Sequence, residues 1–306
     1  MTTLSPRKTA NRQIIDLIKW GEDYFQQTDI ENPRQEMEWL VSDLLSCSRM
    51  ELYVNAKTEV SAIQLKTLKV WMQRRLAGEP LQYITGKTEF FGLPFHIDAN
   101  VLIPRPETER LVEVAIDIAQ CGNAENIVDV GTGSGCVAVA LAVKLPSAKI
   151  IAIDNSEDTL ELARKNANSN GVSEQIKFLQ LDILSKELDD NFDLMISNPP
   201  YIPPNELSTL SKGIRDHEPM QALTDRNDGL TFYRRFAEKG RDWISKGGQI
   251  ILEVGRNKHP QKVKQIFSNA GYVNLNMFKD YNNIHINYMD VNKPKTISNS
   301  FSLVKD

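Results

Sequence analysis

Along the first eighty positions, apolar residues recur at the spacing of helix faces. Ile14, Leu17, Ile18, Gly21 and Phe25 fall on one stripe. Met37, Leu40, Val41, Leu44 and Leu45 form a second. Asn32 stands before it as an N-cap, with Pro33 at the first helical position and Gln35 placed to close a capping box. A third stripe, Leu65, Leu68, Met72 and Leu76, begins at Ser61 with Gln64 three residues on, and stops at Gly78-Glu79-Pro80. Residues 1–85 are therefore expected to form a small helical domain. Over 86–104 the pattern shifts to strand residues on either side of Gly92-Leu93-Pro94, which predicts a β-hairpin linking two domains.

From 105 onward, short apolar runs alternate with helical segments. The runs are 126–130, 149–153, 176–180, 192–197, 249–254 and 272–278. This alternation predicts an α/β domain over 105–290: a mostly parallel, Rossmann-like sheet with helices on both faces. Residues 291–306 are polar with weak periodicity and are expected to be a flexible tail. Ligands of such sheets bind beyond the carboxyl ends of the strands. Gly131, Asp154, Asp182 and Asn198 each follow a strand closely and should share that edge.

Composition narrows the partners. The chain has 306 residues, 41% hydrophobic, and a formal charge of −4, so no strong field draws nucleic acid. Across residues 1–85, Lys and Arg balance Asp and Glu. That makes the helical domain a docking or packing module and not a basic arm. No apolar run approaches a membrane span, and the start carries no apolar signal core. Cys47, Cys121 and Cys136 form no CxxC pair, which fits reduced thiols in a cytoplasmic protein and implies no metal. A monomer is expected.

The chemistry sits in three loops. In "VDVGTGSGCVAVALA", Gly131, Thr132, Gly133, Ser134 and Gly135 join a strand to a helix. Glycines there let backbone N–H groups approach a ligand. Cys136 occupies the third glycine position of a dinucleotide fingerprint, and no P-loop Lys is present. Asp154 ends the second strand, where a carboxylate can accept both hydroxyls of a ribose. "LMISNPPYIPP" ends the fourth strand. Asn198 offers a side-chain oxygen and Pro199 a backbone carbonyl to the two N–H groups of an –NH₂. Pro199 and Pro200 hold those acceptors rigid, and Tyr201 offers a ring face to a flat group. A turn acid and a proline-shaped loop are the plainer alternatives.

These loops together resemble the class I S-adenosylmethionine-dependent methyltransferases. That resemblance implies S-adenosyl-L-methionine as cofactor, with Asp182 and Ile183 bordering its adenine. Clamps of the NPPY kind serve adenine N6, cytosine N4 or a protein glutamine amide. "LIPRPETERLVE" (102–113), the glycine loop, "FDLMISNPPYIP" and "EPMQAL…DGLTFYRRF" (218–236) follow one another as in the HemK/PrmC family. The resemblance implies a protein-(glutamine-N5) methyltransferase acting on the Gly-Gly-Gln loop of peptide chain release factors. It implies that Gly131 to Gly135 lie along the methionine part of the cofactor, and that Asn198, Pro199, Pro200 and Tyr201 clamp the glutamine. Arg105, Glu107 and Thr108 match a family signature and are expected to close the cofactor pocket and shape its mouth. The chain departs from the family pattern at "EVGRNKHPQ" and "DYNNIHI". A DNA adenine-N6 methyltransferase and a binding protein without turnover are the rival classes. The first needs phosphate contacts and base flipping, and the second needs no amide clamp.

Overall fold

The computed structural model describes residues 13–28, 30–279 and 285–290. They divide into two compact units, residues 13–87 with 211–217, and residues 88–210 with 218–290.

In the first unit, the first stripe becomes α1 (Ile14–Phe25), with all five expected residues buried. The second becomes α2 (Pro33–Leu45), which buries Met37, Leu40 and Val41. Asn32 precedes it but makes no side-chain cap bond, so the expected capping box with Gln35 is not formed. Pro33 starts the helix by its fixed φ alone. A box does form one helix later. Ser48 and Glu51 bond reciprocally and open α3 (Arg49–Val54), a helix too short to show a periodic stripe. Ser61 and Gln64 do the same for α4 (Ala62–Leu76), with Ser61 N–H donating to Gln64 Oε1 at 3.0 Å. The helices α5 (Leu81–Thr85) and α9 (Lys212–His217) complete the unit. Glu38 is buried here because Arg34, Arg49 and Tyr53 all donate to its carboxylate.

The hairpin belongs almost wholly to the second unit. Its strands are β1 (Lys87–Phe90) and β2 (Leu93–His96). The turn residues Phe91 and Gly92 both have positive φ, 54° and 71°, as a two-residue hairpin turn of right-handed strands requires. Phe90 and Phe95 pack edge to face at 6.1 Å and join Leu111, Val112 and Val139 in one core cluster.

A seven-stranded sheet follows, in the order β5-β4-β3-β6-β7-β9-β8. The strands β3 (Asn126–Val130), β4 (Lys149–Asp154), β5 (Ile176–Gln180), β6 (Phe192–Ser197) and β7 (Ile244–Glu253) are parallel neighbours. The strands β8 (Val273–Lys279) and β9 (His285–Asp290) close it antiparallel. Successive side chains point to opposite faces. Ile127, Leu194, Ile196 and Ile251 therefore enter one core, under α6 (Pro106–Gly122), α7 (Cys136–Lys144) and α8 (Glu157–Ser169). Val128, Met195, Ile250 and Leu252 enter the other, under α11 (Thr231–Trp243) and α12 (His259–Asn269). Between them α10 (Met220–Leu223) is a single turn. Buried from Cys136 to Ala142, α7 is apolar all round, as its sequence requires.

Two strands differ from expectation. β7 begins at Ile244, five residues earlier than its apolar run, because a bulge carries the chain across Gly247 and Gly248. β9 is an additional strand formed from a segment without an apolar run. The predicted tail, residues 291–306, lies outside the described residues. Among those residues, no helix is long and apolar enough to cross a membrane.

Candidate active site

β3 pairs with β4 on one side and β6 on the other, so the chain reverses its direction of travel through the sheet at β3. The crevice at such a switch point is where open α/β sheets bind ligands. A cavity of about 310 Å³ lies there. It is lined by Gly131, Thr132, Gly133 and Ser134 after β3, by Asp154 at the end of β4, and by Asp182 and Ile183 after β5. Asn198, Pro199 and Pro200 after β6 also line it. Of the twelve candidates in the loops after these four strands, ten line this one cavity. Gly135 and Tyr201 do not line the cavity.

The glycine loop is held by the neighbouring strand. The N–H groups of Gly131 and Thr132 both donate to Ile153 O, at 2.8 and 2.9 Å. Gly131 and Gly133 have φ of 75° and 55°, and a Cβ added at either meets open space. Gly135 has φ of 79°, but a Cβ there would meet Ala163 Cβ at 3.1 Å. The first two glycines border open space, and the third lets α7 approach α8. Asn166, fully buried on α8, ties the loop to the hairpin. Its Nδ2 donates to Ser134 O and to His96 O, each at 2.9 Å.

Carboxylates line the crevice. Asp154 accepts from the backbone N–H of Gly133 at 3.1 Å and of Ser156 at 3.2 Å. Burial raises its pKa, and these bonds pull it back. Asp129, on β3, is buried and accepts from Thr132 Oγ1 at 2.7 Å. Burial pushes its pKa up to about 7. Asp182 folds onto its own turn, accepting from Leu184 N–H at 3.0 Å and Ser185 Oγ at 2.9 Å. The apolar side of the cavity near it is Ile183, 4% exposed. Cys136, at the start of α7, also lines the cavity, and burial pushes its thiol up to about 12.

At the mouth, Arg105 Nη2 donates to both oxygens of Glu218, at 2.6 and 2.7 Å. Arg105 and Thr108 line the cavity, whereas Glu107 does not. Glu218 and Glu253 are functional candidates that no local pattern marks. The signal available was only their place in the "EPMQAL" and "EVG" stretches. Glu253 is 3% exposed and accepts from Thr108 Oγ1 at 2.7 Å, while Asn198 Nδ2 donates to the same Oγ1 at 3.2 Å. Burial pushes its carboxyl up to about 7 against the pull of the Thr108 hydrogen bond. Tyr201 turns its hydroxyl toward Glu253 Oε1 at 3.5 Å and tilts its ring onto His259. Gly255 N–H donates to His259 Nδ1, leaving Nε2–H to donate to Gly229 O at 3.0 Å.

A five-strand parallel sheet, a glycine loop open to the switch-point crevice and a carboxylate ending the next strand define a class I methyltransferase. The crystal structure of the hMettl16 catalytic domain in complex with a MAT2A 3'UTR hairpin shares the fold, with a TM-score of 0.55 at 16% identity, over 78% of this chain and 85% of that one. Residues 16–86 match the family described as PrmC N-terminal domain, and residues 109–212 match the methyltransferase small domain. The release factor glutamine methyltransferase of Chlorobaculum tepidum is 36% identical over 280 residues, 89% of this chain and 94% of its own. That of Geobacter sulfurreducens is 36% identical over 282 residues, 92% and 96%. The chain belongs to the release factor glutamine methyltransferase family, and it is a methyltransferase enzyme.

Proposed function

We propose that this chain transfers a methyl group from S-adenosylmethionine to the side-chain amide N5 of the glutamine in the Gly-Gly-Gln loop of peptide chain release factors. The observation that carries the proposal is the meeting of Asn198 and the glycine loop in one cavity. An amide acceptor and a cofactor cradle are both needed for this transfer, and they lie within reach of each other.

The residues fit the cofactor. Gly131 and Gly133 leave space that a Cβ would fill, and Asp154 is a carboxylate at the edge of that space. In the proposal the glycine loop takes the methionine part, Asp154 the ribose hydroxyls, and Asp182 with Ile183 the adenine. The cofactor supplies an electrophilic methyl group. Everything else is positioning by the chain. A planar amide nitrogen is a poor nucleophile because its lone pair is delocalised. Asn198 Oδ1 accepts one of its N–H groups and Pro199 O the other, which holds the amide in line and stabilises charge growing on nitrogen. The proton leaves after attack, so no strong base is required. Pro200 stiffens the loop, and Tyr201 flanks it with its ring. Arg105, bound to Glu218, shapes the mouth. The first unit, with its balanced charge, recognises the release factor.

The test is mass spectrometry of a release factor after incubation with the protein and labelled S-adenosylmethionine. One methyl group on the Gly-Gly-Gln glutamine is expected. Label on duplex DNA and none on the release factor overturns the proposal.

A further inference from the structure

The orientation of Asn198 is the quantity on which the proposed chemistry depends. A carboxamide can present its oxygen or its NH₂ to a ligand, and only the oxygen accepts a substrate N–H. Nothing in "NPPY" itself selects between the two.

Three segments remote in the chain meet behind this side chain. Thr108, in the first turn of α6, is 4% exposed, and Glu253, the last residue of β7, is 3% exposed. Thr108 Oγ1 lies 2.7 Å from Glu253 Oε2 and 3.2 Å from Asn198 Nδ2. An ionised carboxylate accepts only. The single proton of the Thr108 hydroxyl therefore points at Glu253, and the oxygen's lone pairs face Asn198. Only an N–H can fill that position, so Nδ2 is turned toward α6 and Oδ1 is left for the cavity that Asn198 lines. The reversed carboxamide would set two acceptors against each other in a buried place, which is costly. The far side of Glu253 is held too. Tyr233 Oη donates to its backbone carbonyl at 2.7 Å.

We propose that Glu253, acting through Thr108, is a positioning residue that fixes the Asn198 carboxamide with its oxygen toward the substrate amide. This rests on the reading of Asn198 as amide acceptor. The polarity runs one way from carboxylate to hydroxyl to carboxamide, and each link is a group that cannot serve in the opposite sense while Glu253 is ionised.

The experiment uses the full chain at pH 8 with labelled cofactor and a release factor. Thr108→Val keeps the side-chain shape and removes the hydroxyl, Thr108→Ser keeps the hydroxyl, and Asn198→Ala removes the group being positioned. Thr108→Val is expected to lose about 10–100-fold in kcat, the usual effect of removing a group that orients a site residue. Its KM for release factor and its cofactor affinity by calorimetry should stay within about twofold. Thr108→Ser should restore kcat. Thr108→Val combined with Asn198→Ala should be no slower than Asn198→Ala alone, because nothing remains to be oriented. Glu253→Gln should follow Thr108→Val; should it fail to fold, the Val and Ser pair carries the test. Parent-like kcat in Thr108→Val, or losses that multiply in the double variant, overturn the positioning role. Parent-like kcat in Asn198→Ala overturns the amide-acceptor reading instead, so the two failures are distinct.

Discussion

The three glycines after β3 do two different jobs, and alanine separates them. All three have positive φ, where an L-residue costs about 1–2 kcal/mol. Replacing Gly by Ala returns about 0.4–1 kcal/mol by restricting the unfolded chain. At Gly133 the added Cβ meets nothing within 4 Å, so the net loss of stability should be about 0–1.6 kcal/mol. At Gly135 the Cβ would meet Ala163 Cβ at 3.1 Å and its Cα at 3.3 Å, both on the neighbouring helix α8. Overpacking of that kind adds about 1–3 kcal/mol. Gly135→Ala should therefore lose about 1–4.6 kcal/mol, on the order of 2–18 °C in Tm for a unit of this size. The ordering reverses for the cofactor. Gly133→Ala fills the space beside Asp154 and should weaken S-adenosylmethionine binding, whereas folded Gly135→Ala should bind nearly as the parent does. Thermal melting of the free protein and calorimetric titration read the two effects separately. If Gly135→Ala melts with the parent, or Gly133→Ala binds cofactor with parental affinity, the division of labour in the loop is wrong.

Three further outcomes are expected. Asp154→Ala should weaken S-adenosylmethionine by about 1.5–3 kcal/mol, the worth of hydrogen bonds to a charged group, and an unchanged calorimetric affinity would remove Asp154 from the site. Asn198→Ala should lower the transfer rate by about 10²–10³ with nearly unchanged Tm, the loss typical of one preorganised polar group; single-turnover rates at saturating cofactor check it. The pH dependence of stability follows from the raised carboxyls. Glu253 goes from 4.5 to about 7 and Asp129 from 3.8 to about 7, so the folded state binds their protons more tightly than the unfolded state. Their contribution is fully present below the unfolded values and is lost as pH rises to about 7, by about 3–4 kcal/mol each at most. Tm of Glu253→Gln relative to the parent should thus be higher at pH 8 than at pH 4.5; a difference that does not change with pH would show that Glu253 is not proton-linked to folding.

What could be read from the sequence was local. The stripe from Ile14 to Phe25, the Ser61–Gln64 box, the apolar runs of the sheet and the loops after β3, β4 and β6 all lie within a few residues of the pattern that predicts them. The partnerships behind the site were not legible, because they are between remote positions. Thr108 and Glu253 are 145 residues apart, and Arg105 and Glu218 are 113 apart. No period or spacing links such pairs. The bulge in β7 was hidden for a different reason: Ser245-Lys246-Gly247-Gly248 has turn composition, but the sheet imposes extended pairing on either side of it. The cap at Asn32 failed because side-chain type permits a cap without requiring it. The backbone there, φ −125° and ψ 68°, does not present the side chain to the helix N–H groups. Tyr201 and Gly135 show the limit of contiguity. Neighbours in a motif need not face the same space, and these two turn away from the cavity into packing.

Cys136 has a consequence for the fidelity of an alkylating site. A thiolate is a nucleophile that a sulfonium methyl donor can alkylate, and this sulfur lines the very cavity proposed to hold one. Only the ionised sulfur is a competent nucleophile. Burial pushes the Cys136 thiol up to about 12, so at neutral pH it stays protonated. Burial thus keeps this thiol in its unreactive, protonated form beside the proposed methyl donor. Cys121, exposed near the end of α6, is the thiol that maleimides and oxidants should find first.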